Sequence, residues 1–121
     1  MAILEKKKIL LAEDDSSMRR FIEIILQKAG FDVLTAEDGL AAMQIALETE
    51  IDAVVADAIM PNMSGYDLCR MICAQFTEKK IPCIMLSGLA ENNSDTELAD
   101  AFLLKDTNLK EQLLSALQKL L

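Results

Sequence analysis

Histidine and tryptophan are both absent from the 121 residues of this chain. Without histidine the protein can form neither a Ser-His-Asp nor a Cys-His catalytic pair, and it has no imidazole ligand for zinc. It also cannot carry a phosphohistidine of its own. Aromatic residues make up only 4% of the sequence, so aliphatic side chains and seven methionines have to fill the core.

Basic residues are also in short supply, with 12 lysines and arginines against 20 aspartates and glutamates and a net charge of −8. Such a surface repels a phosphate backbone, so we expect no direct nucleic-acid binding. No apolar run is long enough to cross a bilayer and no secretory signal pattern is visible, so we predict no membrane insertion and a cytoplasmic location. The hydrophobic content of 52% is typical of a packed core, and the length predicts one domain over residues 1–121.

Cysteine is limited to Cys69, Cys73 and Cys83, with no C-x-x-C spacing and no histidine to complete a metal site. An odd number of cysteines without a secretory signal indicates a reduced compartment. We therefore predict that all three cysteines are buried and act as small hydrophobic side chains.

Five short apolar runs predict β-strands. The runs at 9–12, 51–56 and 81–86 are almost wholly apolar, which is typical of strands buried on both faces of a parallel sheet. The run at 31–36 is more polar and predicts an edge strand, and the run at 101–104 predicts a short fifth strand.

Amphipathic segments lie between these runs and predict helices. The clear cases cover residues 16–29, 38–48, 66–76 and 109–121. The polar segment at 90–100 could form a single helical turn or a loop, and it completes the alternation of five strands with five helices. This alternation predicts an α/β fold, a doubly wound parallel sheet of five strands with helices on both faces.

Caps and apolar stripes refine the helix predictions. Asp15 or Ser16 can cap the first helix, which ends at Gly30, and Thr107 can cap the last one. The residues predicted to face the core are Met18, Phe21, Ile25 and Ala29 in the first helix, Leu40, Met43 and Leu47 in the second, and Leu113, Leu117 and Leu120 in the last.

Polar side chains follow the predicted strands at the edge where parallel sheets bind ligands. They are Glu13, Asp14 and Asp15 after the first strand, Asp57 after the third, Ser87 at the end of the fourth, and Lys105 after the fifth. Clustered carboxylates repel one another unless a cation lies among them, and an all-oxygen ligand set favours Mg²⁺. The sequence therefore predicts a magnesium site at this edge.

Four motifs at these strand ends resemble those of a known family. They are LLAEDDSSMRRFI, ADAIMPNMSGYDL, IMLSG and FLLK, in that order along the chain. Together they resemble the receiver domain of two-component response regulators, most closely the single-domain chemotaxis-type receivers. The resemblance implies a flavodoxin-like sheet with strand order 2-1-3-4-5.

The resemblance also implies a site for phosphorylation. Asp57 would be the phosphoacceptor, receiving its phosphoryl group from a phosphohistidine on a sensor histidine kinase or phosphotransfer protein. Mg²⁺ would be bound by Asp14, Asp57 and the backbone carbonyl of Ile59, with Glu13 acting mostly through water. Lys105 would contact a phosphoryl oxygen.

Three further positions would control signalling if the resemblance holds. Ser87 would be the switch hydroxyl that contacts the phosphoryl group, and Phe102 occupies the aromatic switch position. Ile59 and Leu89 would flank the path of the hydrolytic water; because both are apolar, we expect a long-lived phosphorylated state. The domain would catalyse only its own phosphorylation and dephosphorylation and would signal to a downstream protein that the sequence does not identify.

The chain departs from the family pattern beside the lysine. Asp106 stands where the family usually has a proline in a cis peptide, and a cis bond before a non-proline residue costs about 2.5–4 kcal/mol, so we predict a trans Lys105–Asp106 bond. The stretch between Ser87 and Lys105 is also short. These departures leave open a receiver-like interaction domain that works without phosphorylation. A magnesium-dependent aspartyl phosphohydrolase is a further alternative, but it would normally need an acid at the position of Ile59.

Overall fold

The computed structural model describes residues 6–88 and 99–121 of the chain. Most of the segment predicted as a helical turn or loop therefore lies outside the described residues. The described part contains five strands and four helices: β1 (Lys8–Ala12), α1 (Ser16–Lys28), β2 (Asp32–Ala36), α2 (Gly39–Glu48), β3 (Ala53–Asp57), α3 (Gly65–Gln75), β4 (Cys83–Ser87), β5 (Ala101–Leu104) and α4 (Leu109–Leu120).

All five strands form one parallel sheet in the order β2-β1-β3-β4-β5, which confirms the predicted topology. β2 is an edge strand, as its polar sequence predicted. Ala12 pairs with Ala36 on one side and Ala56 on the other, while Asp57 pairs with Leu86 on β4. This register brings the carboxyl ends of β1, β3 and β4 to the same edge of the sheet.

The central apolar runs form strands because they bury both of their faces. Every residue of β3 and β4 is buried. Alternate strand residues such as Leu10 and Val54 pack against α2 and α3, whereas their neighbours Ile9 and Val55 pack against α1 and α4. The two resulting cores cover opposite faces of the sheet, as expected for helices on both faces.

Helix α1 has the predicted cap but a different buried face. The side chain of Asp15 accepts a hydrogen bond from the Met18 N–H (2.7 Å), and the chain leaves the helix before Gly30, whose φ of 100° suits glycine. The buried positions are Ile22, Ile25 and Leu26, and Phe21 is exposed. The predictions for Phe21 and Ala29 were wrong: both are exposed, because the helix turns the row through Ile22 toward the sheet.

The prediction for helix α2 was wrong in the same way. Met43 is buried as expected, but Leu40 and Leu47 are each more than half exposed. Ala42 and Ala46 face the sheet instead. Their small side chains let the helix axis approach the strands closely, and this approach rotates the two leucines outward.

Two smaller predictions also failed. Asn108, and not Thr107, is the N-cap residue of α4, and the Asn108 N–H is bound by the Asp106 carboxylate at 2.9 Å. Cys69 and Cys83 are buried as predicted, but Cys73 is exposed because α3 turns Ile72 inward beside it. Among the described helices, none combines the length and apolar character needed to span a bilayer.

Candidate functional site

Three carboxylates meet at the carboxyl edge of the sheet, where the sequence predicted them. Glu13 follows β1 and is fully buried, Asp57 ends β3 and is 8% exposed, and Asp14 lies exposed at the rim. Each offers an oxygen within 4.8 Å of the other two. The Glu13 N–H donates to the Ala36 carbonyl at 3.0 Å, which holds the end of β1 against β2.

Lys105 follows the edge strand β5 and reaches this carboxylate cluster across β4. Its ammonium donates to Glu13 Oε1 at 2.5 Å and to Asp57 Oδ2 at 2.8 Å. Its backbone N–H donates to the Ser87 carbonyl at 2.8 Å, so the end of β4 positions the lysine. The Lys105–Asp106 bond is trans, as predicted.

One lysine cannot balance the charge of three carboxylates. Burial raises the pKa of Glu13 to about 7, against the opposing effect of the hydrogen bond from Lys105. Burial by itself would lower the pKa of Lys105, but the hydrogen bonds to Asp57 and Glu13 outweigh it and raise that pKa. The cluster therefore keeps an excess of negative charge that a divalent cation could neutralise.

Arg19 supports the acidic turn, and the sequence reasoning missed it. The Arg19 guanidinium donates to the Glu13 backbone carbonyl at 2.9 Å from the first turns of α1. The Asp15 N–H donates to Glu13 Oε2 at 3.2 Å, so hydrogen bonds hold both the backbone carbonyl and the side chain of Glu13. A basic residue shortly after an acidic triplet was the available signal, but only the path of α1 shows where its side chain ends.

The loop after β3 brings Ile59 to the rim of the site. Its N–H donates to Asp57 Oδ1 at 3.2 Å, and its side chain is 69% exposed. The roles predicted for its carbonyl oxygen and side chain stay predictions. Leu89, the other residue predicted to control hydrolysis, lies outside the described residues.

The two predicted switch residues lie on neighbouring strands. Ser87 is 3% exposed at the end of β4, one residue beyond the partner of Asp57 in the sheet register. Phe102 is half-buried on β5 and packs against the core on the α2 and α3 face. Ser87 therefore lies at the edge of the site. Phe102 pairs with Met85, two residues before Ser87 on β4, and so lies farther from that edge.

Gly65, the first residue of α3, allows the chain that follows β3 to pass directly against Asp57. A Cβ at this position would lie 2.3 Å from the Asp57 carbonyl oxygen and 2.6 Å from Met85 Sδ. We expect Gly65→Ala to lower the free energy of unfolding by about 1–3 kcal/mol, as overpacking does. Chemical denaturation would measure this loss, with Gly88→Ala as the control, because a Cβ there meets no atom of the described residues within 4 Å. Equal stability of the two variants would contradict the close approach.

Comparison with known proteins defines the class of this fold and site. Residues 9–118 match the response regulator receiver domain. The chain therefore belongs to the receiver domain family of two-component systems, and this confirms the resemblance of its four motifs.

Relatives with known names include both short and long proteins. The chemotaxis protein CheY-3 of Vibrio cholerae is 38% identical over 102 residues, covering 83% of this chain and 78% of that protein. Protein PilG of Pseudomonas aeruginosa is 34% identical over 115 residues, covering 92% and 84%. The probable transcriptional regulator ycf27 of Galdieria sulphuraria is 42% identical over 86 residues, which are 71% of this chain but 32% of that protein. The chain spans under half the length of such regulators.

Solved structures agree with the fold. The chemotaxis response regulator CheY4 of Vibrio cholerae has a TM-score of 0.88 at 30% identity, covering 97% of this chain and 100% of that one. The response regulator TrrA of Thermotoga maritima, solved in complex with Mg²⁺ and BeF, has a TM-score of 0.87 at 26% identity, with coverage of 95% and 99%. The five-stranded flavodoxin-like architecture is thus that of the chemotaxis-type receivers.

Proposed function

We propose that this domain is a phosphorylation-dependent receiver in which Asp57 accepts a phosphoryl group from a phosphohistidine of a sensor histidine kinase or phosphotransfer protein. The observation that carries the proposal is the meeting of Asp57 with Glu13, Asp14 and the Lys105 ammonium at one edge of the sheet. The proposal implies a cytoplasmic location and a downstream protein target. Residues 1–121 would form one receiver domain.

Transfer would begin when a carboxylate oxygen of Asp57 attacks the phosphorus of the donor. The P–N bond of the phosphohistidine breaks as the acyl phosphate forms, and the imidazole leaves with the bonding electron pair. Such transfer needs alignment and charge neutralisation more than covalent help. The Lys105 ammonium, 2.8 Å from Asp57 Oδ2, is placed to contact a phosphoryl oxygen.

The residues present fit Mg²⁺. The carboxylates of Asp14 and Asp57 and the carbonyl oxygen of Ile59 would hold it, and Glu13 would act through water. All of these are oxygen donors, which magnesium prefers, and the buried excess of negative charge favours a divalent ion. When bound, the ion would supply positive charge to the phosphoryl oxygens during transfer.

Phosphorylation by a small-molecule donor tests the proposal without the partner kinase. The protein is incubated with acetyl phosphate or phosphoramidate, with Mg²⁺ or with excess EDTA, and its intact mass is followed. We expect one phosphoryl group in the magnesium arm and none with EDTA. A folded protein that takes up no phosphoryl group in either arm would support the alternative of an interaction domain that works without phosphorylation.

We expect Ser87→Ala to be phosphorylated still but to lose the response to phosphorylation. The hydroxyl lies one strand from Asp57 and can turn toward an added phosphoryl group. Amide chemical shifts with and without phosphodonor would measure the response, and Ser115→Ala on the exposed side of α4 is the control. A full set of shift changes in Ser87→Ala would place the switch elsewhere.

The phosphorylated state is expected to decay slowly because Ile59 exposes an apolar side chain at the rim of the site. A polar side chain there can orient the attacking water, and positioned general catalysis contributes about 10²–10⁴-fold in other enzymes. We therefore expect Ile59→Asn or Ile59→Glu, alone or with a polar residue at Leu89, to speed decay measurably, whereas Ile59→Leu should not. Decay followed by intact mass would show this. Equal lifetimes in all variants would mean that these side chains do not control the water.

A further inference from the structure

Helix α2 exposes two leucines that do not contribute to the core. Leu40 is 55% exposed and Leu47 is 57% exposed. They are seven residues apart, two helical turns, so they lie on one face of the helix. Met71 is 44% exposed on α3, which packs beside α2 on the same face of the sheet. Gln44 is exposed between the two leucines on this face, so Leu47 is the exposed leucine that borders the recess described next.

A groove opens beside Leu47, between the carboxyl-terminal ends of α2 and α3. Its volume is about 410 Å³, within the usual range for a binding cleft. Leu47 and Phe76 line it, and buried Ile51 and Ile81 contribute to its wall. Leu47 therefore borders a recess that can receive an apolar side chain.

The charge around the groove is acidic. Glu48, Glu50 and Glu78 lie along it. The only cation among the lining residues is Lys79, whose ammonium is bound by the Asp52 carboxylate at 2.7 Å. A bound segment would therefore face apolar side chains flanked by negative charge.

We propose that this α2–α3 groove docks a cationic amphipathic helix of a partner protein, with an apolar side chain in the groove and lysines or arginines against Glu48 and Glu78. Helices that bind in grooves use such apolar anchors, and opposite charge speeds and orients their association. A second copy of this chain fits poorly because it would bring another net charge of −8 to an acidic rim. Anionic lipid is repelled for the same reason.

The docking site is separate from the phosphoacceptor edge. Ile51 precedes β3 and Asp57 ends it, so the groove lies at the opposite edge of the sheet, one strand length away. A five-residue strand spans roughly 15 Å. A partner could therefore occupy the groove while a phosphodonor occupies the carboxyl edge, and the proposal does not depend on phosphorylation.

A designed peptide serves as the probe. It is an amphipathic helix of leucine and lysine with leucines at helical spacing, and a second peptide carries glutamate in place of every lysine. Isotope-labelled protein is titrated with each, and amide chemical shifts locate the binding. We expect the lysine peptide to change the amide chemical shifts of residues in α2, α3 and the groove. The glutamate peptide should change none of them.

Variants separate the groove from general attraction between opposite charges. We expect Leu47→Gln, and separately the pair Glu48→Lys and Glu78→Lys, to weaken binding by about tenfold or more, the size of a typical hot-spot loss. Glu23→Lys with Glu111→Lys makes the same change in net charge on α1 and α4, on the opposite face of the sheet, and should retain most of the affinity. Because Leu47 is already exposed, Leu47→Gln should keep its melting temperature.

Several results would overturn the proposal. Equal weakening by the two double charge reversals would reduce the binding to general electrostatics. Chemical-shift changes centred on the residues around Asp57, or on Phe21 of α1, would show that the peptide binds at another surface. Dimerisation in sedimentation experiments that Leu47→Gln abolishes would assign the surface to a second copy, and sedimentation with anionic vesicles would assign it to a membrane.

Discussion

Asp57→Asn is expected to take up no phosphoryl group from acetyl phosphate under conditions that fully modify the unaltered protein. Asparagine has nearly the same shape, but its amide oxygen is a poor nucleophile and cannot form an acyl phosphate. Asp57 is the only proposed acceptor, so no residual uptake at other residues is expected. Intact mass measures the difference directly, and it should be complete.

The Asp57→Asn variant should remain folded. Removal of one carboxylate lets Lys105 pair with Glu13 alone, so the charge excess in the cluster falls. Asp67→Asn removes an exposed carboxylate of α3 and is the matched control, which should be phosphorylated normally. A phosphoryl group on Asp57→Asn, located by peptide mapping, would show that another residue is the acceptor.

Asp14→Asn is expected to abolish the stabilisation of the protein by Mg²⁺. Binding to the folded state alone raises the free energy of unfolding by about 2.7 kcal/mol when the ion is at 100 times its dissociation constant. Thermal melting with and without millimolar Mg²⁺ would reveal this gain. Asp15→Asn is the matched control, because asparagine caps α1 as well as aspartate does and one carboxylate is still removed. A melting temperature indifferent to Mg²⁺ in the unaltered protein would count against a magnesium site.

The same measurement should depend on pH through Glu13. Its folded pKa of about 7 lies above its ordinary value of 4.5, so its contribution to stability without metal is fully present below 4.5 and is lost as pH rises through about 7. Magnesium favours the ionised carboxylate, so its affinity should rise over the same interval. Glu13→Gln should flatten both trends, and trends unchanged in that variant would assign them to other groups.

The strands were largely predictable because each is a local apolar run with a polar end. Burial on both faces requires continuous apolar sequence, so β3 and β4 are visible without any tertiary information. Their order was implied by the family resemblance, and the register of the sheet then brought Asp57, Ser87 and Lys105 to one edge.

The rotation of the helices could not be predicted from the sequence in the same way. In α2, both the leucines and the alanines recur at helical spacing, so two faces of the helix are apolar. The distance between the helix and the sheet decides which face is buried, and Ala42 and Ala46 allow the closer approach. The exposure of Leu40, and of Leu47 at the proposed docking groove, follows from that choice.

The sequence by itself determined the positions of the strands, the polar residues that end them, and, through its lack of histidine, that this chain carries no phosphohistidine of its own. Only the tertiary structure decided that Lys105 bonds both Glu13 and Asp57, that Arg19 supports the acidic turn, and that Leu40 and Leu47 face outward. The physical reason is the separation along the chain of the residues that decide each feature. Strand identity depends on neighbouring residues, whereas these contacts depend on how close distant elements approach, which the packing of the whole domain sets.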